Sequence, residues 1–208
     1  MSVKAIGAPT ALALLSNGDF LALAAEAIVE FGSSGGLHAS VTSTTLGATI
    51  IATSRGGSNV FQSNGDFIFA SSVAGESGRR DTDIQLVRLL PQGSLDSTFN
   101  SPVFDFGADA ALAESANALA IQRTGQVIAG GGAGQFGSGG FGLARFNING
   151  RFDPAFGNTG KVTTPFPNAA ANVRALLSQS DGRIVAVGTE IVNGGGPANL
   201  VAARYLGQ

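Results

Sequence analysis

The densest group of charged residues in the chain is the segment GESGRRDTD, which contains Glu76, Arg79, Arg80, Asp81 and Asp83. Carboxylates at alternate positions can supply oxygen ligands to a hard cation such as calcium, and paired arginines can clamp a carboxylate or a sugar acid. The segment is therefore a candidate ligand site, with Asp81 and Asp83 as candidate calcium ligands. The competing interpretation is a solvated loop whose mixed charges maintain solubility.

Further carboxylates occur in two other segments that we expect to be loops. Asp105, Asp109 and Glu114 lie in DFGADAALAE, and Glu190 lies in the segment Val187–Pro197. Asp105, Asp109 and Glu190 are added to the candidate ligand-binding residues because they can complete an acidic site. Here too the alternative is a polar loop without a ligand.

The residue types that most often perform catalysis are sparse. The chain has one histidine, one tyrosine, no cysteine and no tryptophan, which excludes thiolate nucleophiles and Cys-ligated zinc. His38 is best interpreted as a turn substitution, because aspartates occupy its position elsewhere. The segment GAGQFG fits the dinucleotide fingerprint G-x-G-x-x-G, but that fingerprint needs a helix to follow it, and GLARFN predicts a strand.

The elements that must position these residues belong to a fourfold repeat. Units begin at ALALLSNGDFLALA, SNVFQSNGDFIFAS, ALAIQRTGQVIAGG and ALLSQSDGRIVAVG, and their turn glycines are spaced by 47, 60 and 57 residues. A second landmark, IVEF, LVRL, LARF and AARY, recurs at spacings of 58, 57 and 59. A third, GLHASV, SLDSTF and RFDPAF, occurs in three units. Landmarks in constant order at one period indicate a repeat protein.

Each unit is predicted to form consecutive β-strands, because short apolar runs alternate with Gly, Asn, Asp and Ser. Asn-Gly between two such runs predicts a tight hairpin whose two central residues both have positive φ. Thr124-Gly125 breaks this rule, so unit 3 is expected to use another turn type. Recurrent arginines at Arg88, Arg145 and Arg204 are expected to form structural pairs between neighbouring units.

These patterns resemble the delta-60 repeat of bacterial proteins. The resemblance rests on ALA-[LI]-Q-x-[ND]-G-x-[IV], on LARF-N-x-[ND]-G-x-[LF]-D-x-x-F-G and on GKVTT. Unit 3 matches best, whereas unit 1 departs from the pattern, with Glu30 in place of the arginine and His38 in place of Asp96 and Asp153. The resemblance implies propeller-like β repeats and supplies no catalytic residues.

The fold class predicted is all-β, a propeller-like array of four repeats closed as a small ring or completed by a second chain. The units run roughly over 7–53, 54–113, 114–170 and 171–208, in a single domain. Residues 1–6 are expected to supply the closing strand of unit 4, which leaves no exposed sheet edge. A monomer and a ring-completing homodimer both satisfy this arrangement.

Composition limits the partners. With 12 Lys and Arg against 14 Asp and Glu, no basic surface is available for nucleic acid, and no apolar stretch is long enough to predict a membrane span or a signal peptide. We expect an extracellular or cell-surface location if the chain is part of a longer exported bacterial protein, and otherwise a cytoplasmic one. No cofactor is predicted other than the calcium ion.

The sequence favours a non-catalytic binding or scaffold module that presents a variable loop face to a glycan, peptide or protein. Loops between the second and third strands differ between units, and variable loops on a regular scaffold usually carry function. The alternative is a propeller-type hydrolase or lyase that uses Asp and Glu at the mouth of the channel. The absence of tryptophan weighs against sugar ligands, because sugar rings commonly stack on aromatic faces.

Overall fold

The computed structural model describes residues 9–14, 17–24, 27–42, 59–74, 82–91, 94–106, 115–134, 139–157, 159–192 and 196–207. Across these ranges the chain forms β-strands and no helix, which confirms the all-β prediction. The strands are β1 (Pro9–Leu14), β2 (Phe20–Ala24), β3 (Ala27–Phe31), β4 (Leu37–Thr42), β5 (Asn59–Phe61), β6 (Phe67–Ala74), β7 (Thr82–Leu89), β8 (Ala116–Ile121), β9 (Val127–Ala133), β10 (Gly140–Phe146), β11 (Lys161–Pro165), β12 (Ala169–Ser178), β13 (Ile184–Val192) and β14 (Asn199–Tyr205).

The strands form four antiparallel sheets, each built from consecutive strands. Sheet 1 contains β1 to β4, sheet 2 contains β5 to β7, sheet 3 contains β8 to β11 and sheet 4 contains β12 to β14. A fourth strand in sheet 2 is reduced to one bridge between Ile84 and Phe104. The described parts of the four sheets do not close into a ring, and the proposed closing strand, residues 1–6, lies outside the described residues.

The hairpin turns differ from the sequence prediction. Among the described non-glycine residues only Asn168 has a positive φ, so the asparagines of the Asn-Gly turns do not. In unit 2, Gln62 O accepts the N–H of Gly65 and Gln62 N–H donates to Asp66 O, at N···O distances of 2.9 and 2.8 Å. With Gly65 at φ +89°, this is a three-residue loop, a type I turn closed by a left-handed glycine.

The same correction removes the expected exception in unit 3. Gln122 makes the equivalent hydrogen bonds to Gly125 and Gln126, so the turn there has the same form as in unit 2. Thr124 occupies the position before the glycine, where φ is negative and a β-branched residue fits. Asparagine is used at that position because its side chain binds the chain two residues on: Asn64 Oδ1 accepts from Asp66 N–H at 3.1 Å.

Apolar cores lie between neighbouring sheets. Between sheets 2 and 3, Phe104 packs against Phe146 and Phe152, with ring centroids 5.2 and 5.7 Å apart. Between sheets 3 and 4, fully buried Phe141 and Leu143 pack with Val173 of β12. Contacts of β8 with sheet 2, and of β12 with sheet 3, show that the first strands of sheets 3 and 4 lie against the preceding sheet.

The third landmark, with its D-x-x-F pattern, surrounds the recurrent arginine. Arg145 is 1% exposed, its Nε lies 2.9 Å from Asp153 Oδ2, and its guanidinium lies 5.0 Å from the centre of the Phe156 ring. The pairing is therefore within one unit, so the expected pairing between neighbouring units was wrong for this ion pair. Such a buried group needs both charge compensation and hydrogen bonding.

Unit 2 repeats this arrangement and adds one link to its neighbour. Arg88 Nη2 lies 2.6 Å from Asp96 Oδ2, and its guanidinium lies 4.6 Å from the Phe99 ring. Arg88 Nη1 also donates to the carbonyl of Ile148 in unit 3, at 2.8 Å. Arg204, at the same position of unit 4, is exposed. The recurrent arginines thus belong to the scaffold.

Candidate functional site

The antiparallel order of the strands separates two ends of the array. We call the end with the repeated turns at Gly18, Gly65, Gly125 and Gly182 the hairpin end. The opposite end, which we call the loop end, has the connections between second and third strands and the beginnings of the first strands. The connections at the loop end differ in length and sequence, and residues 75–81, 135–138 and 193–195 within them lie outside the described residues.

Three of the eight candidate ligand-binding residues lie in the described part of the chain. Asp83, partly buried, pairs in register with Val73 at the loop end of sheet 2. Glu190 lies near the loop end of β13, where its Oε1 accepts a hydrogen bond from Asn199 Nδ2 at 3.3 Å. The other five, Glu76, Arg79, Arg80, Asp81 and Asp109, fall outside the described residues.

Asp105 lies in the connection from sheet 2 to sheet 3. Its Oδ1 lies 3.4 Å from Lys161 Nζ, and both side chains are 32% exposed. Lys161 Nζ also donates to the Asp105 carbonyl at 3.1 Å. This ion pair ties the connection to β11. A ligand that used Asp105 would therefore compete with Lys161.

The structure brings together a row of polar side chains that the sequence had not singled out. Ser115 Oγ donates to Asn117 Oδ1 at 2.9 Å, and Asn117 Nδ2 donates to Asn172 Oδ1. Ser115 and Asn117 lie at the start of β8 and Asn172 lies on β12, so the row crosses from sheet 3 to sheet 4 at the loop end. All three side chains are partly exposed. We call Ser115, Asn117, Asn172 and the neighbouring Arg174 the polar row.

Two members of the polar row occupy β-bulges at the same position of their units. The register of β8 with β9 shifts around Asn117, and that of β12 with β13 shifts around Arg174. A third bulge, around Thr10 in β1, falls at the equivalent position of unit 1. A bulge redirects a side chain out of the regular alternation, and bulges are enriched beside functional sites. Arg174 is exposed, whereas Asn117 is partly exposed.

The sequence contained one signal for this row. Asn117 and Arg174 stand five residues before the repeated glutamines Gln122 and Gln179, so both are polar residues at one position of the repeat. The hydrogen bond between Asn117 and Asn172 had no such signal, because it joins residues 55 positions apart.

Shifted pKa values occur at structural contacts. Burial tends to raise the pKa of Asp96, but hydrogen bonds from the hydroxyl and N–H of Thr98, together with Arg88, hold this pKa below its ordinary value. Burial raises the pKa of Tyr205, and the hydrogen bond between its hydroxyl and Thr164 Oγ1, 2.7 Å long, partly offsets this rise. Tyr205 thereby reports on the contact between sheets 3 and 4.

Within the described ranges, no group of three or more His, Asp or Glu side chains is placed to hold a metal ion. The candidate calcium ligand Asp81 is outside those ranges, so the calcium site stays a prediction. No helix long and apolar enough to span a membrane is found in the described part of the chain.

Comparisons with known proteins agree with this architecture. The family model "Domain of unknown function (DUF5122) beta-propeller" matches residues 73–99, 122–156 and 179–205. No curated protein matches the chain in sequence.

Solved structures of similar fold include a glucose dehydrogenase, with TM-score 0.54 and 16% identity over 90% of this chain and 61% of that one. Another is a protein of unknown function from Dyadobacter fermentans, with TM-score 0.58 and 9% identity over 96% of this chain and 66% of that one. The chain thus spans less than two thirds of either protein. At these identities the likeness concerns the fold alone. Units 2 to 4 therefore match the repeat of this β-propeller domain of unknown function, which confirms the resemblance to the delta-60 repeat.

Proposed function

We propose that the chain is a non-catalytic binding module that holds an acidic peptide segment against the polar row at its loop end. The observation that carries this proposal is the hydrogen-bonded series Ser115–Asn117–Asn172, which joins two sheets at the end where the connections vary. A site that spans two sheets has fixed spacing, because both sheets are anchored in a common apolar core.

The side-chain chemistry of the row suits a peptide backbone. An asparagine amide offers both a donor and an acceptor, which match the C=O and N–H of an extended chain. Asn117 uses its oxygen toward Ser115 and its nitrogen toward Asn172, and no described group accepts a hydrogen bond from Asn172 Nδ2. That donor is therefore available to a ligand carbonyl.

Arg174 gives the row its charge preference. It is exposed two residues beyond Asn172 on β12, and a guanidinium binds carboxylates through two parallel hydrogen bonds. The row contains no aromatic ring on which a sugar would stack. A peptide carboxylate, from a side chain or a C-terminus, is thus favoured over a glycan.

The test is fluorescence anisotropy with labelled acidic peptide libraries, with amidated and neutral libraries as comparisons. Arg174→Ala should weaken binding by about tenfold or more, since hydrogen bonds to charged groups contribute ~1.5–3 kcal/mol. Arg183→Ala is the matched control, because Arg183 is also an exposed arginine of unit 4 but lies at the hairpin end, 3.1 Å from Asp181. Its binding should equal that of the parent.

Two results would overturn the proposal. Equal losses in the Arg174 and Arg183 variants would show a general charge effect, and binding confined to a glycan array would replace the peptide as ligand. Turnover of a glycan that depends on Asp83, Asp105 or Glu190 would favour the hydrolase or lyase alternative instead.

A further inference from the structure

Sheet 4 has one apolar face that no described residue covers. The register places Val187 opposite Ala202, and Leu200 two residues before Ala202 on β14, so these side chains share a face. Leu200 is 79% exposed, and Leu177 of β12 is 62% exposed. A run of exposed apolar residues on a sheet face is typical of an interaction surface.

The same face of sheet 3 is fully buried. Phe141 and Leu143 occupy the positions of Leu200 and Ala202, and both are 0% exposed. They are covered by Val173 and Ile184 of sheet 4. The exposed face of sheet 4 is therefore one half of an interface that the chain already forms between its own sheets.

Sheet 1 exposes the complementary half. Leu12 pairs with Ala22 and Leu14 with Phe20, which places these residues on one face. Leu12 is 69% and Leu14 is 72% exposed. Leu119, at the position of Leu12 in unit 3, is only 7% exposed because it packs in the core between sheets 2 and 3.

Polar contacts between sheets point to the same pairing. Gln122 Nε2 donates to Gly182 O of the next unit at 2.7 Å, and Arg88 Nη1 donates to Ile148 O of the next unit. Gln179 and Arg204 hold these positions in unit 4, where no described carbonyl accepts their hydrogen bonds. In unit 1 the repeat places the carbonyls of Gly18 and Ser33 at the positions of the acceptors.

We infer that the exposed face of sheet 4 binds the exposed face of sheet 1 of a second copy of this chain. A second copy is the occupant because one sequence carries both halves of the repeated interface, while no described residue of the same chain covers either half. The contact is heterologous, and two copies that each supply both halves close into a pair with two identical interfaces. In each interface Gln179 would donate to Gly18 O and Arg204 to Ser33 O.

The inference is tested by analytical ultracentrifugation of the full chain over a range of concentrations. The parent should sediment at twice the 20.8 kDa chain mass. Leu200→Asp and Leu14→Asp should each reduce the mass to that of one chain, because each substitution places a charge in both interfaces. Ile148→Asp is the control, since Ile148 is 62% exposed at a turn outside both faces, and it should leave the pair intact.

Mixing the two disrupted variants identifies the contact as heterologous. A Leu14→Asp chain keeps its sheet 4 face and a Leu200→Asp chain keeps its sheet 1 face, so an equal mixture should regain mixed pairs through one intact interface. A parent of single-chain mass at all concentrations would overturn the inference. So would a pair that only one of the two substitutions disrupts, because that is the behaviour of a like-with-like contact.

A cysteine probe gives an independent readout if a charged variant fails to fold. The chain has no cysteine, so Leu200→Cys introduces a single thiol. This thiol should react slowly with a thiol reagent at concentrations where the pair forms, and at least tenfold faster on dilution. A rate independent of concentration would contradict the inference.

Discussion

Replacing Asp153 by asparagine should test whether the recurrent arginine is a scaffold element. The substitution keeps the shape of the side chain and an oxygen that can accept the hydrogen bond now made by Ala155 N–H, 3.0 Å from Asp153 Oδ1. It removes the negative charge that lies beside Arg145, which is 1% exposed. The buried guanidinium then loses this counter-ion.

The expected loss follows from that burial. Breaking a buried ion pair by removing one partner typically costs about 3–5 kcal/mol. Because the asparagine keeps an oxygen that accepts the hydrogen bond, we expect a loss of about 3 kcal/mol for this variant. For a chain of this size, about 3 kcal/mol lowers Tm by roughly 6–12 °C. Because the pair is buried, salt should change the loss little.

The matched control is Asp181→Asn. Asp181 also pairs with an arginine and also accepts a backbone N–H, that of Arg183, at 3.0 Å, but its side chain is 49% exposed. An exposed pair contributes ~0–1 kcal/mol, so this variant should stay close to the parent. Urea denaturation followed by far-ultraviolet circular dichroism measures both losses. If the two variants differ by less than about 1 kcal/mol, the reasoning about burial is refuted.

The remaining predictions concern one carboxylate, one phenol and one turn. The pKa of Asp96 is lowered in the folded state, so the ionised carboxylate stabilises the fold above its ordinary pKa of 3.8, and this stabilisation is lost as the pH falls through the lower folded pKa. Plots of Tm against pH for the parent and for Asp96→Asn should therefore converge in acid and separate near pH 7. Curves that stay parallel would contradict this. The pKa of the single tyrosine, Tyr205, should lie above its ordinary value of 10.0 in the native protein and return to about 10 in concentrated urea. Thr164→Val should raise the native pKa further, because the hydrogen bond from Thr164 lowers it. Absorbance at alkaline pH measures this pKa, and a native value at or below 10 would show that the contact with sheet 3 is absent. Gly65→Ala should destabilise the protein by about 1–2 kcal/mol, because φ is +89° at this residue and the added methyl group would lie 3.3 Å from Pro91 Cγ. Gly36→Ala is the control, since its methyl group meets only Ser34 Oγ, at 3.9 Å. Equal melting temperatures of the two variants would contradict the left-handed turn.

The repeat made the sheets predictable. Apolar runs and turn glycines repeat in each unit, and local rules of strand and turn chemistry depend on little else. Turn type was predicted wrongly because Asn-Gly fits two loop geometries. The two geometries are a two-residue loop, in which Asn64 would have a positive φ, and the three-residue loop that is observed. The hydrogen bond from Gln62 N–H to Asp66 O favours the three-residue loop.

The partners of the arginines were predictable only in part. The eight-residue spacing of Arg145 and Asp153 was visible in the sequence, but which strand each follows decides whether they meet within a unit or between units. The polar row was harder still, since Asn117 and Asn172 are joined by packing between sheets. No local pattern encodes that contact.

The binding of a peptide at the polar row is tested most directly by nuclear magnetic resonance of the asparagine side-chain amides. Titration of the ¹⁵N-labelled protein with an acidic peptide that binds it should shift the side-chain NH₂ signals of Asn117 and Asn172 at the loop end. The signals of Asn17 and Asn64, which lie in turns at the hairpin end and donate to Asp19 and Asp66, should stay in place. Shifts confined to Asn17 and Asn64, or an unchanged spectrum at saturating peptide, would contradict the account.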